Sequence, residues 1–463
     1  MLPEVPLEHL GAARAEGPLL FVTGTPRVGW DEFAEIRLPG GEVRQGLVLE
    51  VHDDVTVIEV LQGTSGIDPR LVSTSFTGHP FRVPVGEGWL GRVWDGLGRP
   101  LDGGPPMLGE DLRPVTGRPA NPIERDVPSE PILTGVSVID AVTTLVRGQK
   151  LPLFSSAGLP HLELAGQVAC QAQAGGQGFR VVFVAMGLTR ADAGTIRDVL
   201  ESRSASGELA LFLDTADDPV VQRIMAPRVA LTVAEHLAFD LGHHVLVVLA
   251  DMTSYCDALR EVSAARGEVP GRRAYPGYLY SDLASIYERC GRLKRRPGSL
   301  TQLPVVTMPA GDITHPVADL TGYITEGQIL LSADLHGRGL YPPVDVLGSL
   351  SRLMRKGTGA GLTRSDHPRV AAEVVAAVAR SRQARELADL IGEAALTATD
   401  RRYLGFQEAF DSLLLDQRPD ESRPLPDTLE RTWRALSRLP RSELSMVSDE
   451  DVDRYFRGGP GGG

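Results

Sequence analysis

Leu151-Pro152-Leu153-Phe154-Ser155-Ser156-Ala157-Gly158-Leu159-Pro160-His161-Leu162-Glu163-Leu164 is the stretch on which the fold turns. An apolar, strand-like run ends at Phe154, a turn of small residues follows, and an Ala-rich helical pattern starts near His161. Strand, tight turn and helix start are the setting of the GxxxxGK[ST] phosphate cradle. In that register Ser155 stands at the first glycine, Pro160 at the second, His161 at the lysine and Leu162 at the hydroxyl. A cradle needs free backbone N–H groups, a fixed positive charge and a hydroxyl for the metal ion. Proline offers no N–H, histidine carries no fixed charge near neutral pH, and leucine cannot ligate magnesium. The chain therefore reads as a nucleotide-hydrolysing architecture without the catalytic chemistry.

Around this turn, strands and helices alternate from about residue 131. Apolar runs at 180–185, 209–213, 245–250 and 303–308 predict central parallel strands, with helical patterns between them at 161–174, 190–203 and 219–240. That rhythm predicts an α/β domain with a mostly parallel sheet. Upstream, residues 18–78 predict short strands. Ala34–Leu38 and Glu42–Val48 flank the turn Pro39-Gly40-Gly41, and Leu47–Val51 and Val55–Leu61 flank Asp53-Asp54. Closely spaced strands with Gly-rich turns predict a small sandwich or barrel. Residues 79–130, rich in Gly and Pro, read as a linking region. Beyond about 365 the pattern is helical, with Asp366 placed to cap a helix that carries Pro368 in its first turn. Apolar residues recur along 370–390, 403–415 and 428–438, and the chain ends in a flexible tail, Gly458-Gly459-Pro460-Gly461-Gly462-Gly463.

Composition narrows the function classes. The 463 residues are enough for two or three domains. A net charge of -13 argues against free binding to nucleic acid or anionic membrane. Cys170, Cys256 and Cys290 have no metal-ligand spacing and suit buried thiols in a reducing cytosol. No basic region followed by an apolar run opens the chain, so no signal peptide is expected. No apolar stretch of roughly 18 residues occurs, so no membrane span is expected.

Several residues could carry chemistry. Asp251 ends the most apolar run, where an acid can hold a magnesium–water shell beside a phosphate loop; it can equally cap the next turn at Thr253. The strand at 180–185 leads into Met186-Gly187-Leu188-Thr189-Arg190, and Leu188 occupies the place of a water-activating carboxylate. Lysine, metal hydroxyl and carboxylate are thus all missing. In Tyr341-Pro342-Pro343-Val344-Asp345-Val346-Leu347-Gly348-Ser349-Leu350-Ser351-Arg352, two prolines stiffen the approach to one arginine. Its planar fork could stabilise a neighbour's transferring phosphate, although by composition alone an ordinary surface salt bridge is the first reading. The loop Val269-Pro270-Gly271-Arg272-Arg273-Ala274-Tyr275-Pro276-Gly277-Tyr278 reads as a contact loop or a packed Ω-type loop. Lys294-Arg295-Arg296 reads as a solvated turn. His315, His243 and His244 lack a convincing ligand partner, so no metal is assigned.

Together these segments resemble the B subunit of V/A-type rotary ATP synthases and ATPases, the non-catalytic partner of the A subunit. The resemblance is carried by Thr64-Ser65-Gly66-Ile67-Asp68, by Gly91-Arg92 through Gly103, and by Leu145-Val146-Arg147-Gly148-Gln149-Lys150-Leu151-Pro152. It continues through Ser156-Ala157-Gly158-Leu159-Pro160-His161, Tyr255-Cys256-Asp257-Ala258-Leu259-Arg260-Glu261 and Pro270-Gly271-Arg272-Arg273. Gly311-Asp312-Ile313-Thr314-His315-Pro316 and Pro342 through Arg352 complete it.

The resemblance implies a multidomain β + α/β + α fold. Its parts are an N-terminal β-barrel (1–78), a central nucleotide-binding-type α/β domain with a degenerate phosphate loop (79–364), a C-terminal helical bundle (365–455) and the Gly-rich tail (456–463). It implies a ring of three A and three B subunits around a central stalk, held by peripheral stalks on the cytoplasmic side of a membrane. The membrane is met only through the ion-translocating sector. MgATP or MgADP is shared at the interface with A, with none bound tightly by this chain alone. Arg352 aligns with the arginine that B supplies in trans, with Ser351 beside it near the interface, and loop 269–278 aligns with the segment around the axle. The degenerate loop Ser155, Ser156, Ala157, Gly158, Leu159, Pro160, His161 and Leu162 is expected to be non-functional. Many B-like sequences carry Asn where this chain has Leu162, which makes the pocket less polar. The non-catalytic subunit of F-type enzymes, by contrast, keeps an intact loop and holds nucleotide there. The rival readings are a self-sufficient ring ATPase of the secretion type, which would hydrolyse ATP unaided, and a hexameric nucleic-acid helicase, which would need a basic channel.

Overall fold

The computed structural model describes residues 8–457, apart from 26, 27, 53, 110, 118–120, 176 and 177. The expected tail at 458–463 and Asp53 of the expected turn lie outside the described residues. The N-terminal strands are β1 (Glu8–Leu10), β2 (Arg14–Glu16), β3 (Leu19–Thr23), β4 (Glu32–Arg37), β5 (Val43–His52), β6 (Val55–Val60) and β7 (Ser73–Pro80). Further elements follow in chain order: β8 (Val93–Trp94), β9 (Leu153–Ser156), α1 (His161–Gln171), β10 (Phe179–Leu188), α2 (Arg190–Ala205), β11 (Leu209–Thr215), α3 (Val220–Glu235), β12 (His244–Ala250), α4 (Met252–Ala265), α5 (Leu279–Tyr287), β13 (Ser299–Met308), β14 (Gly327–Leu330) and β15 (Leu350–Ser351). The later helices are α6 (Met354–Gly357), α7 (His367–Ile391), α8 (Ala398–Phe410) and α9 (Leu425–Leu436).

Contacts divide the chain into two compact units. The first holds Met1–Ala120, Val182–Leu241 and Leu249–Arg289. Its N-terminal part is a seven-stranded antiparallel sheet in the order β1-β7-β4-β5-β6-β3-β2. Strand alternation sends Leu20, Val22, Ile36, Val48, Ile58, Val60 and Phe76 into one core. Gly41, with φ 85°, turns β4 into β5 as its N–H donates to the Leu38 carbonyl. Residues 79–130, expected as a linking region, do more than link. β8 pairs in parallel with β11, Leu211 opposite Val93, and Trp89 stacks on Phe212 with ring centres 5.5 Å apart. A two-residue strand has no periodicity to betray it, but the two buried tryptophans hold it in place.

The second unit holds Asn121–Val181, Gly242–Val248 and Cys290–Gly463. Here β15, β14, β9, β13 and β12 lie in that order, with β9 parallel to both β13 and β14. β9 runs on to Ser156, two residues past the expected end. The helix expected at 161–174 stops at Gln171, because Gln173–Ala174 pairs antiparallel with Pro131–Leu133. In the first unit, the helix expected at 219–240 is regular only to Glu235 and closes in a wider turn, His236–Asp240. Asp366 does precede α7, yet its side chain makes no cap. Its own backbone is helical, and its carboxylate takes two bonds from Arg364 (2.6 and 2.8 Å) and one from Trp433 Nε1 at 2.8 Å. Those donors bind Asp366 to α9 instead of to the helix it begins.

Candidate functional site

The degenerate loop keeps the strand, turn and helix start of its motif, without the lysine and the hydroxyl. β9 delivers Ser156, Gly158 turns the chain at φ 84°, and α1 begins at His161 behind Pro160. The Leu159 N–H donates to the Ser156 carbonyl at 3.3 Å, and the His161 N–H donates to the Leu159 carbonyl at 2.8 Å. Two N–H groups of the turn are thus spent inside it, and Pro160 has none. Ser155, fully buried, donates its Oγ–H to the Ser156 carbonyl at 3.0 Å and lies 3.3 Å from His161 Nδ1. Leu159 is buried, Ser156, Pro160, His161 and Leu162 are half-buried, and Ala157 and Gly158 are exposed. Gly311 closes over the strand end, where a Cβ would stand 3.1 Å from Ser156 Oγ.

The place expected for a water-activating carboxylate is held by Leu188. Leu188 ends β10 half-buried, its carbonyl accepting from the Ala216 N–H at 2.8 Å. One carboxylate that sequence reasoning missed, Asp214, lies close by at the end of β11. Its Oδ2 accepts from the Gly187 N–H and from Arg223 Nε, each at 2.9 Å. Burial pushes Asp214 up to about 6 against the pull of Arg223. Enclosed and ion-paired, it ties the end of β10 to α3. Asp251, left open between two roles, is a helix cap: its Oδ1 accepts from the Thr253 N–H at 2.8 Å at the start of α4. His244 sits between Ser299 Oγ (3.0 Å) and Arg147 Nη1 (3.1 Å), and burial, then Arg147, lowers it to about 4. It is a neutral acceptor in a polar cluster, and no group of three or more His, Cys, Asp or Glu among the described residues could hold a metal ion.

Arg352 is the opposite case: a cation on a fixed pedestal with an idle side chain. β15 pairs antiparallel with β14, Gly327 opposite Ser351 and Gln328 opposite Leu350. The Arg352 N–H donates to the Glu326 carbonyl at 3.0 Å. Ser351 is buried; its Oγ accepts from Gln149 Nε2 at 2.9 Å and donates to the Thr144 carbonyl at 3.2 Å. The approach of the two strands is so close that a Cβ on Gly327, whose φ is 136°, would fall 2.0 Å from the Leu350 carbonyl oxygen. From this platform the Arg352 side chain is exposed and makes no hydrogen bond or ion pair with any described residue. Among the described residues, the surface salt bridge that composition suggests first is not made by this side chain.

Loop 269–278 belongs to the first unit and is braced at Tyr275. Tyr275 is buried, donates its hydroxyl to Asp257 Oδ1 at 2.8 Å, and lies under the Arg260 guanidinium, 5.0 Å from its ring centre. The Gly271 N–H donates to the Tyr275 carbonyl at 2.8 Å, so the tip is a tight turn, and Val269 beside it is 90% exposed. Lys294 Nζ donates to the Ile123 carbonyl at 3.0 Å within its basic turn.

Comparison with known proteins places this geometry. The β-barrel domain of the ATP synthase alpha/beta family matches residues 13–72, the nucleotide-binding domain of the same family matches 135–351, and the C-terminal domain of V and A type ATP synthase matches 356–456. A solved structure described as that of "a unique ATP synthase subunit NeqB from Nanoarcheaum equitans" is 36% identical. It covers 91% of this chain and 98% of its own, with a TM-score of 0.71. The chain belongs to the ATP synthase alpha/beta family, with a V/A-type C-terminal domain. The β-barrel, the nucleotide-binding α/β domain and the helical C-terminal domain are those of the family, and membership implies assembly with other ATP synthase subunits. Among the described residues, no helix is long and apolar enough to cross a membrane.

Proposed function

We propose that this chain is the non-catalytic, regulatory B subunit of a V/A-type rotary ATP synthase or ATPase, and that Arg352 completes the catalytic site of the adjacent A subunit. One observation carries the reading. The loop that would grip phosphate lacks the lysine and the hydroxyl and spends the Leu159 and His161 N–H groups within its own turn, while Arg352 stands exposed, without a partner among the described residues, on a paired strand end. A protein that cannot cradle a triphosphate yet presents a pre-aligned guanidinium is suited to work across a subunit seam.

In this role the A subunit supplies the intact phosphate loop, the magnesium and the carboxylate. Arg352 donates its planar fork to the γ-phosphate oxygens as charge spreads over them, and Ser351 fixes the backbone from which the fork projects. MgATP and MgADP are held at the A–B interface and not by this chain alone. Three A and three B subunits alternate around the central stalk, loop 269–278 forms part of the collar, and peripheral stalks hold the ring. The whole sits on the cytoplasmic side of the membrane and couples ATP synthesis or hydrolysis to transport of protons, or of sodium in a sodium-coupled complex. Nucleic acid is no partner.

The test is phosphate release from MgATP by the purified chain, by its A partner, and by the two combined. The reading expects background rates for the chain alone and robust turnover only for the pair. Fast hydrolysis by the chain alone would instead support the self-sufficient ring ATPase.

A further inference from the structure

The collar-loop side of the first unit hides a carboxyl group with nothing to hold it. Ile58 and Val60 of β6 enter the barrel core, so Glu59 between them points to the opposite face of the strand. That face is covered, and Glu59 is 3% exposed. Its Oε1 is sealed from solvent with no hydrogen-bond partner, and no described residue gives Glu59 an ion pair. A second orphan lies near it. Arg266, at the end of α4, has its Nε buried and unpartnered while its Nη1 pairs with Glu268 Oε1 at 3.0 Å. Arg266 also exerts the largest opposite charge felt by Glu59. The barrel meets this helix end directly: a Cβ on Gly17, in the β2–β3 turn, would lie 3.7 Å from Ala265 Cβ.

The other charges on this cluster are committed elsewhere. Arg228 of α3, the second cation near Glu59, donates to Tyr255 Oη at 3.0 Å and to Asp282 Oδ1 at 2.5 Å. Tyr278 feels the charges of Glu268, Arg266, Asp282 and Glu59; it is 37% exposed as a residue, and partial desolvation of its hydroxyl raises the phenol and keeps it protonated. Glu268 accepts from Ser263 Oγ at 2.5 Å and directly precedes Val269 at the start of loop 269–278. Of the two arginines whose charge reaches Glu59, Arg266 is the one whose Nε has no partner among the described residues.

We infer that Glu59 is a proton-controlled latch: held neutral, it leaves Arg266 on Glu268 and the root of loop 269–278 closed; ionised, it draws Arg266 to itself and releases Glu268. Burial is the main reason Glu59 holds its proton, raising it to about 7, so the exchange falls in the neutral range. The inference concerns this chain alone and does not depend on the role of Arg352.

Two readouts on the full-length chain test it. The first is the infrared band of protonated carboxyl groups, compared between wild type and Glu59→Gln from pH 6 to 8.5. A band in the wild-type-minus-variant difference that is present at pH 6 and lost by pH 8.5 supports the latch; its absence from that difference at pH 6 overturns it. The second is hydrogen exchange of peptides spanning residues 262–278, corrected for the intrinsic pH dependence. In wild type the corrected rate should rise on the order of tenfold across that range, the equivalent of about one pKa unit of interaction. In Glu59→Gln, which keeps the shape and neutrality of the closed state, it should stay at the low-pH value. Equal pH responses in the two proteins overturn the latch. Glu268→Gln, which removes the competing carboxylate, should lower the midpoint of the infrared transition by about one unit; an unmoved midpoint overturns the partner exchange.

Discussion

Replacing Arg352 by alanine separates function from stability more sharply than any other change in this chain. The side chain is exposed and has no partner among the described residues, so its removal leaves none of them as a buried group without a partner. Surface changes of that kind shift stability by no more than about 0.5 kcal/mol, and the backbone bonds of β14, β15 and Glu326 are untouched. Turnover should respond very differently. A unit charge about 4 Å from a developing phosphate charge contributes about 4 kcal/mol at an effective dielectric of about 20. At about 1.4 kcal/mol per decade this is about a thousandfold, the lower end of the roughly 10³–10⁵ associated with trans-acting arginines. The assay is steady-state phosphate release by A combined with wild-type or Arg352→Ala chain, alongside thermal unfolding of each chain and sizing of each complex. The expectation is an assembled ring, an unchanged unfolding midpoint and hydrolysis at least a thousandfold lower. Arg352→Lys should recover little of it, because the charge returns without the fork. Near-normal turnover by the alanine complex would refute the reasoning.

Three other expectations follow from the same geometry. Gly327→Ala sets a Cβ against the Leu350 carbonyl at a positive φ. It should lower the unfolding free energy in urea by about 2–4 kcal/mol and, by parting β14 from β15, cut turnover of the mixed complex. Restoring the phosphate loop with Ser155→Gly, Pro160→Gly, His161→Lys and Leu162→Thr should raise MgADP affinity in calorimetry. It should leave hydrolysis by the chain alone at background, because Leu188 still supplies no carboxylate. His244 is held below its ordinary value of 6.5, at about 4, so the unfolded chain binds more protons between these values. Its contribution to stability is therefore complete above about pH 6.5 and lost as pH falls toward 4; in His244→Gln, denaturant unfolding should show a flatter acid limb over that window.

Much of this was legible because it is local. The strand end near Phe154, the turn at Gly158 and the helix start at His161 lie within a few residues of each other, and the missing lysine, hydroxyl and Leu188 carboxylate are matters of residue identity alone. What stayed hidden depends on partners far away in sequence. Ser351 is fixed by Gln149, separated by 202 positions, and Trp433 takes the Asp366 carboxylate from 67 positions away. That second bond is why a helix-start signal at Asp366 yields a helix without a side-chain cap. The Asp214–Arg223 pair was missed because a single acid at a strand end has no pattern, and Glu59 reads in sequence as one more polar residue in an alternating strand.

The central claim is that the chain does not grip a nucleotide by itself. Calorimetric titration of MgADP into the isolated chain, and then into the chain mixed with its A partner, tests it most directly. Negligible heat in the first titration and saturable binding in the second is the result expected here; tight, stoichiometric binding to the isolated chain would contradict it.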